Sequence, residues 1–295
     1  MGDTTTVPDF AEESVDAAAS SAELDGVLWD PISTAAVSRS HPRFDERVLD
    51  ACCGDGASAL PTAELVGIGG LVDAVDDDAS RVALARERAG ERMPQLRLHV
   101  DDVTAWEPTG YDLVQCVLGL ERFAELDAAT RHLIERARPG GRVAITAWAK
   151  GALEPLPELV AAALSEEHGA EAGDRGDGET DDHTGDPGDP GDHDPGDDEP
   201  GDHATAIPDT AGTLAHWLTE LGLVGVRADA VQRHVDLTPD LAWRLVQGTG
   251  MRAMLSGLDE EARADVRERF LAAIAEDDVQ RVDLATLIAV GHRPE

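Results

Sequence analysis

The chain has 295 residues, 42% hydrophobic and only 3% aromatic, with 60 acids against 24 bases and a formal net charge of −36. That length holds one large α/β domain or two small ones, with a core built mostly from Ala, Val and Leu. The charge argues against an electrostatic footprint for nucleic acid or for an anionic membrane surface, and no apolar run is long enough for membrane insertion.

Cys52, Cys53 and Cys116 fall at predicted strand ends without CxxC spacing. Adjacent Cys52 and Cys53 do not bridge without distorting the peptide, so the expectation is reduced thiols in a cytoplasmic protein. No cationic-then-apolar leader precedes the chain's acidic start, and no signal peptide is expected. Lys150 is the only lysine, which fits a GC-rich genome and salt adaptation equally.

Residues 1–20 are small and acidic and read as a mobile tail. A weak helix over Ala22–Ser38 carries Leu24, Val27, Leu28, Trp29 and Ile32. The chain then reaches Val48-Leu-Asp-Ala-Cys-Cys-Gly-Asp-Gly56, on which the rest is organised. An apolar lead-in predicts a buried strand with Asp50 at its carboxyl end. Gly54 and Gly56 make a turn, and residues from Ala57 open a helix to about Val66. Such a turn lets a ligand approach the backbone and meet the unpaired N–H groups of the helix start.

Gly54-x-Gly56-x-x-Ala59 also satisfies a loose dinucleotide fingerprint, which by itself is weak. Asp50 argues against a pyrophosphate, because a carboxylate beside the turn repels an anion and favours a ligand with a cationic amino group. The plainer alternative is that Asp50 only ties down the turn. The stretch resembles motif I of the class I S-adenosylmethionine-dependent methyltransferases, Val-Leu-Asp-x-Gly-x-Gly-x-Gly. Cys52 stands at the first glycine, a replacement that suits a negative φ, and Gly54 and Gly56 match the other two.

The resemblance is to small-molecule enzymes of the menaquinone/ubiquinone-biosynthesis-like type. It implies an α/β, Rossmann-like seven-stranded sheet, mostly parallel with an antiparallel last strand beside the fifth and helices on both faces. It also implies S-adenosyl-L-methionine as cofactor and a small-molecule methyl acceptor. An N-terminal helix in the family often lies over the site, which would place Trp29 in a pocket; packing on the core is the other reading.

Gly67-Ile-Gly-Gly ends the first helix, and Leu71–Val75 forms the second strand, ending at Asp76. Asp76 lies 20 residues beyond Gly56, the offset at which such folds place a carboxylate on ribose hydroxyls. Within the run Asp76-Asp77-Asp78 the choice of Asp76 rests on strand register, and Asp77 is counted with it as a cofactor-binding candidate; the other reading has Asp77 or Asp78 cap the helix over 79–90. Gln95–Val100 is a third strand, followed by Asp101-Asp102-Val103. By resemblance Asp102 reaches the adenine amino group and Val103 the ring, although an Asp pair also simply forms a turn.

Tyr111–Leu120 holds the fourth strand and its exit loop. Resemblance places Val117, Leu118 and Gly119 near the cofactor, and makes Glu121 and Arg122 the only general-base candidates; a solvated helix start explains those two equally. A helix with Leu126 and Leu133 leads to a sharp turn at Arg138-Pro-Gly-Gly141 and a fifth strand over 142–148.

Residues 166–203 contain 16 acids and one arginine in Gly-Asp-Pro and Gly-Asp-His units, so a disordered acidic insert is expected over 166–205. His183, His193 and His203 fit no standard metal spacing, and no metal is expected. The core then comprises 21–165, continued by 206–295: a helix from Asp209, strand six over 224–235, helices over 238–248 and 258–275, and a last strand over 283–291. Three functions follow: transfer of a methyl group to a small molecule, a nicotinamide-dependent oxidoreductase on the same turn, and a non-catalytic adenosyl-ligand binder whose insert recruits a basic partner.

Overall fold

The computed structural model describes residues 24–172 and 206–295. The expected tail over 1–20 and insert histidines His183, His193 and His203 lie outside the described residues. The elements in chain order are α1 (Asp30–Ser40), β1 (Arg47–Ala51), α2 (Ala59–Val66), β2 (Leu71–Asp76), α3 (Ala79–Ala89), β3 (Leu96–Val100), β4 (Tyr111–Val117), α4 (Leu126–Arg136) and β5 (Ala137–Trp148). They continue with α5 (Leu156–Ala172), α6 (Ala211–Glu220), β6 (Val224–Val231), β7 (His234–Asp236), α7 (Pro239–Gly248), α8 (Glu260–Glu276), β8 (Arg281–Asp283) and β9 (Thr286–His292).

The main sheet has seven strands in the order β3-β2-β1-β4-β5-β9-β6. β1 to β5 pair in parallel, and β9 runs antiparallel between β5 and β6, as expected. Val48, Leu49 and Ala51 on β1 have no exposure, and neither do Leu113 and Val114 on β4. A strand covered on both faces reads as a continuous apolar run, which is why β1 was legible. Strand order reverses between β1 and β4, and a crevice opens there at the carboxyl ends of the strands.

Three cores hold the layers. Val48, Ala59, Ala63 and Val72 pack α2 on one face, while Leu49, Val114, Leu133, Ile145 and Leu214 pack α4 and α6 on the other. The third joins Leu28, Ile32, Leu156, Trp243, Val266 and Phe270 into a helical cap made by the N-terminal segment, α5, α7 and α8. Val117, Leu118 and Trp148 pack against it, so the cap rests on the ends of β4 and β5. The sole tyrosine, Tyr111, is structural: its hydroxyl donates to Asp73 at 2.9 Å and accepts from Trp106 at 3.0 Å.

Several boundaries differ from expectation. The N-terminal helix runs on to Ser40 and opens with a π-helical turn at Asp25–Trp29. Residues 138–141 are a bulge inside β5 rather than a turn before it: Tyr111 pairs with Ala137 and Leu113 with Arg142. Strand six and the last strand are each divided, because β7 leaves the sheet to pair with β8 in a separate ribbon. α5 was not foreseen and carries helix to Ala172, past 166, where disorder was expected to begin. Glu166, Glu167 and Ala170 are good helix formers, so acidity alone does not stop the helix there.

Candidate functional site

The crevice at the β1/β4 switch opens into a cleft of about 1470 Å³. Its floor is the turn after β1. Cys52, Gly54 and Gly56 have φ of 57°, 54° and 90°, so left-handed residues alternate and turn the backbone toward the cleft. The negative φ that Cys52 was expected to need is corrected by this geometry. Such a conformation costs an L-residue roughly 1–2 kcal/mol, and the thiol is held in place by its neighbours. Cys52 shares a hydrogen bond with Cys116 that, together with burial, pushes its pKa well above the ordinary thiol value. A Cβ added to Gly119 would lie 2.6 Å from Cys52 Cβ and 2.7 Å from Cys116 Sγ, so only glycine leaves room there for both cysteines.

Asp50 does not face the cleft. It is fully buried beneath the turn, its Oδ2 accepting from Ser58 Oγ at 2.8 Å and Gln115 Nε2 at 3.0 Å. Gln115 also donates to Thr62 and accepts from Ser40. The acid thus knots β1, α2, β4 and the end of α1 together. Burial pushes its pKa up to about 7, against the lowering effect of Ser58 and Gln115. The side chain ties down the turn, the plainer of the two readings, and any pull on a ligand's amino group would act through that turn.

Asp76 ends β2 and lines the cleft, 3% exposed. Its Oδ2 accepts from Gly54 N–H at 2.9 Å and its Oδ1 from Asp78 N–H at 3.0 Å. A carboxylate offers about four lone-pair sites, so about two remain for hydroxyl donors. Asp78 caps α3 by accepting from the N–H groups of Ser80 and Arg81. Asp77 is exposed and pairs with Arg122, whose guanidinium also lies 3.7 Å from Asp76. Arg122 is therefore a cation over the acidic strand end, and this pairing raises its pKa despite partial desolvation.

Val117, Leu118, Gly119, Glu121 and Arg122 line the cleft, and Trp29 both lines it and packs against the cap. Glu121 is accessible at the rim, and desolvation on its buried side raises its pKa. Asp102 and Val103 are not brought into the lining of the cleft. Asp102 caps a one-turn helix, accepting from Thr104 N–H at 2.8 Å and Thr104 Oγ1 at 2.7 Å; these bonds lower its pKa. Val103 is 5% exposed and packs in the core beneath.

The cap supplies the wall that sequence reasoning missed. Arg244 and Gln247 come from α7, Met251, Arg252 and Met254 from the single-turn segment Gly250–Leu255, and Arg263 from α8. Trp148 at the end of β5 joins them. The N-terminal segment closes the opposite rim, clipped by Arg88, which pairs with Asp25 at 3.4 Å and with Asp55 of the glycine turn at 2.8 Å.

Fold and cleft define a Rossmann-like domain with a ligand site at its switch point, acidic where the ribose of an adenosyl ligand would lie. Residues 48–141 match the family described as "Methyltransferase domain". The chain is 29% identical over 151 residues to the nocamycin O-methyltransferase of Saccharothrix syringae, covering 45% of this chain and 54% of the relative. It is 31% identical over 122 residues to an aklanonic acid methyltransferase of Streptomyces sp. strain C5, covering 40% and 56% respectively. The chain therefore spans little more than half the length of these curated relatives. The YcgJ protein of Bacillus subtilis shares the fold, with a TM-score of 0.53 at 15% identity over 90% of this chain and 98% of that one. The likeness to a methyltransferase domain is thus carried by residues 48–141, which hold the glycine turn and β1 to β4. The menaquinone/ubiquinone-like type is not singled out by these matches. Among the described residues no helix is long and apolar enough to cross a membrane.

Proposed function

We propose that the protein transfers a methyl group from S-adenosyl-L-methionine to a small-molecule acceptor. The observation that carries this is the joining of the left-handed turn Cys52–Gly56 to the Asp76 carboxylate through the Gly54 N–H. The turn exposes backbone to a ligand, and Asp76 keeps lone pairs for ribose hydroxyls. Asp55, Asp76 and Asp78 line the same end of the cleft and outnumber Arg81 and Arg122 there, so a pyrophosphate would be less favoured there than a cationic ligand. This disfavours the nicotinamide reading. The two curated relatives named above, both named as methyltransferases acting on small molecules, support the same class.

When bound, the cofactor supplies a methyl group on a sulfonium, a leaving group that needs no acid to depart. The chain's own task is then positional. Val117, Leu118 and Trp148 form an apolar wall that excludes water from the reacting atoms. The cap holds the acceptor in line, and orientation of this kind accounts for about 7–11 kcal/mol of a barrier at its most effective. Glu121, with its raised pKa, stands at the rim to take a proton from an acceptor that must lose one.

The test is incubation of the protein with methyl-labelled S-adenosylmethionine and a pool of cellular small molecules. Label appearing in a small organic product, with S-adenosylhomocysteine formed in equal amount, is the expected result. Label confined to protein or nucleic acid would contradict it.

A further inference from the structure

The cleft is divided electrostatically. Its sheet side carries the acids Asp55, Asp76, Asp78 and Glu121, which outnumber the two arginines there, Arg81 and Arg122, that pair with Asp78 and Asp76. Its cap side, residues 244–263, contributes three arginines (Arg244, Arg252 and Arg263) and no acid. This occurs in a chain whose acids outnumber its bases 60 to 24, so an acid-free basic wall is opposite to the composition of the chain. Arg252 sits on the single-turn segment with its side chain exposed, and no carboxylate lies within ion-pair distance of it among the described residues. Arg263 makes one long hydrogen bond, 3.4 Å to the Leu258 carbonyl. Arg252 and Arg263 thus line the cavity without a partner carboxylate among the described residues.

Beside the arginines the wall is apolar. Met251, Met254 and Leu255 lie on the same segment, and Trp29 and Trp148 face it. A cleft of about 1470 Å³ also exceeds the ~300–1,000 Å³ of a typical single-ligand pocket, leaving room for a second molecule beside the cofactor. Arginine presents a planar fork matched to carboxylate geometry and is weakly hydrated, which suits a site lined by apolar surface.

Resting on the proposed methyl transfer, we infer that the acceptor is an organic acid with an apolar or aromatic body, its carboxylate held by Arg252 and Arg263. A monoanion fits better than a phosphate dianion, because the acids of the opposite wall repel the second charge. The division also sorts the two ligands. The sulfonium-bearing cofactor is drawn to the acidic side, the acid to the basic side, and neither competes for the other's place.

The experiment is calorimetry on the full chain saturated with S-adenosylhomocysteine, with 2-naphthoate, its methyl ester and 2-naphthyl phosphate as probes. 2-Naphthoate is expected to bind at least about tenfold tighter than the ester, in line with a charge-assisted hydrogen bond. The double variant Arg252→Gln/Arg263→Gln should lose about tenfold to a hundredfold of the acid affinity, with affinity for the ester and for S-adenosylhomocysteine unchanged. Equal binding of acid and ester, no binding of the acid, tighter binding of the phosphate, or an unaltered variant would overturn the inference. A parallel loss of S-adenosylhomocysteine affinity in the variant would also overturn it, by assigning the arginines to the cofactor. Failure of S-adenosylhomocysteine to bind the unmodified protein is a separate result and would refute the methyltransferase reading itself.

Discussion

Asp50 offers a prediction that isolates one buried charge. In the fold its pKa is about 7, against an ordinary 3.8, and the first cause is burial. A raised carboxyl pKa means that stability is greatest where the acid is protonated in both states, below its ordinary value. It is lost as pH rises through the folded value, because the unfolded chain ionises first. Each unit of separation is worth about 1.4 kcal/mol, so Asp50 should cost the fold about 4 kcal/mol as pH rises from about 4 through 7, with little further change above. Asp25 and Glu121 are raised as well, while four carboxyls act oppositely. Glu46, Asp78, Asp102 and Asp112 have lowered pKa values and lose their contribution as pH falls. The clean quantity is therefore the difference between the parent and Asp50→Asn, which retains an oxygen for Ser58 and Gln115 without a charge. Urea unfolding at half-unit steps from pH 4.5 to 8 measures it. The variant should gain on the parent by about 1.4 kcal/mol per pH unit up to about 6.5, level off through 7, and then run parallel to it. A difference that stays constant with pH would refute the burial argument.

Three other perturbations test the site. Asp76→Asn should weaken S-adenosylhomocysteine binding by about tenfold or more. It should also lower stability by about 1–3 kcal/mol, because the Gly54 and Asp78 N–H groups lean on both oxygens; calorimetry and urea melts on one preparation separate the two, and unaltered affinity would remove the ribose role. Gly119→Ala should cost about 1–3 kcal/mol by pressing on Cys52 and Cys116, whereas Gly250→Ala should cost much less, since its new Cβ meets only the mobile end of Glu121. Equal melting temperatures for those two variants would count against the tight packing assigned to Gly119. Phe270→Ala should cost about 3–5 kcal/mol by hollowing the cap core, and an unchanged denaturation midpoint would show that the cap is not cooperatively packed.

The parts of the site legible in sequence are those whose signal is local. β1 is an uninterrupted apolar run, the glycines mark a turn, and Asp76 follows at a spacing set by one βαβ unit, so fold class and turn were readable before any coordinates. The capping role of Asp102 was not legible, because sequence does not show that Thr104 supplies both a backbone and a hydroxyl donor to it. Asp50 divided the readings because burial depth, not residue type, decides between a ligand contact and a tie beneath the turn. The divided strands were invisible since β propensity continues through residues 224–236 while the pairing partner changes from β9 to β8. The arginine wall was furthest from view. Arg244, Arg252 and Arg263 belong to three successive elements and converge only when the cap folds over the sheet.

The most direct test of the whole account is calorimetric titration of the purified chain with S-adenosylmethionine, S-adenosylhomocysteine and NAD. The acidic strand end and the phosphate-averse turn predict saturable one-to-one binding of both adenosyl ligands and none of NAD. Binding of NAD with silence from the adenosyl pair would contradict it.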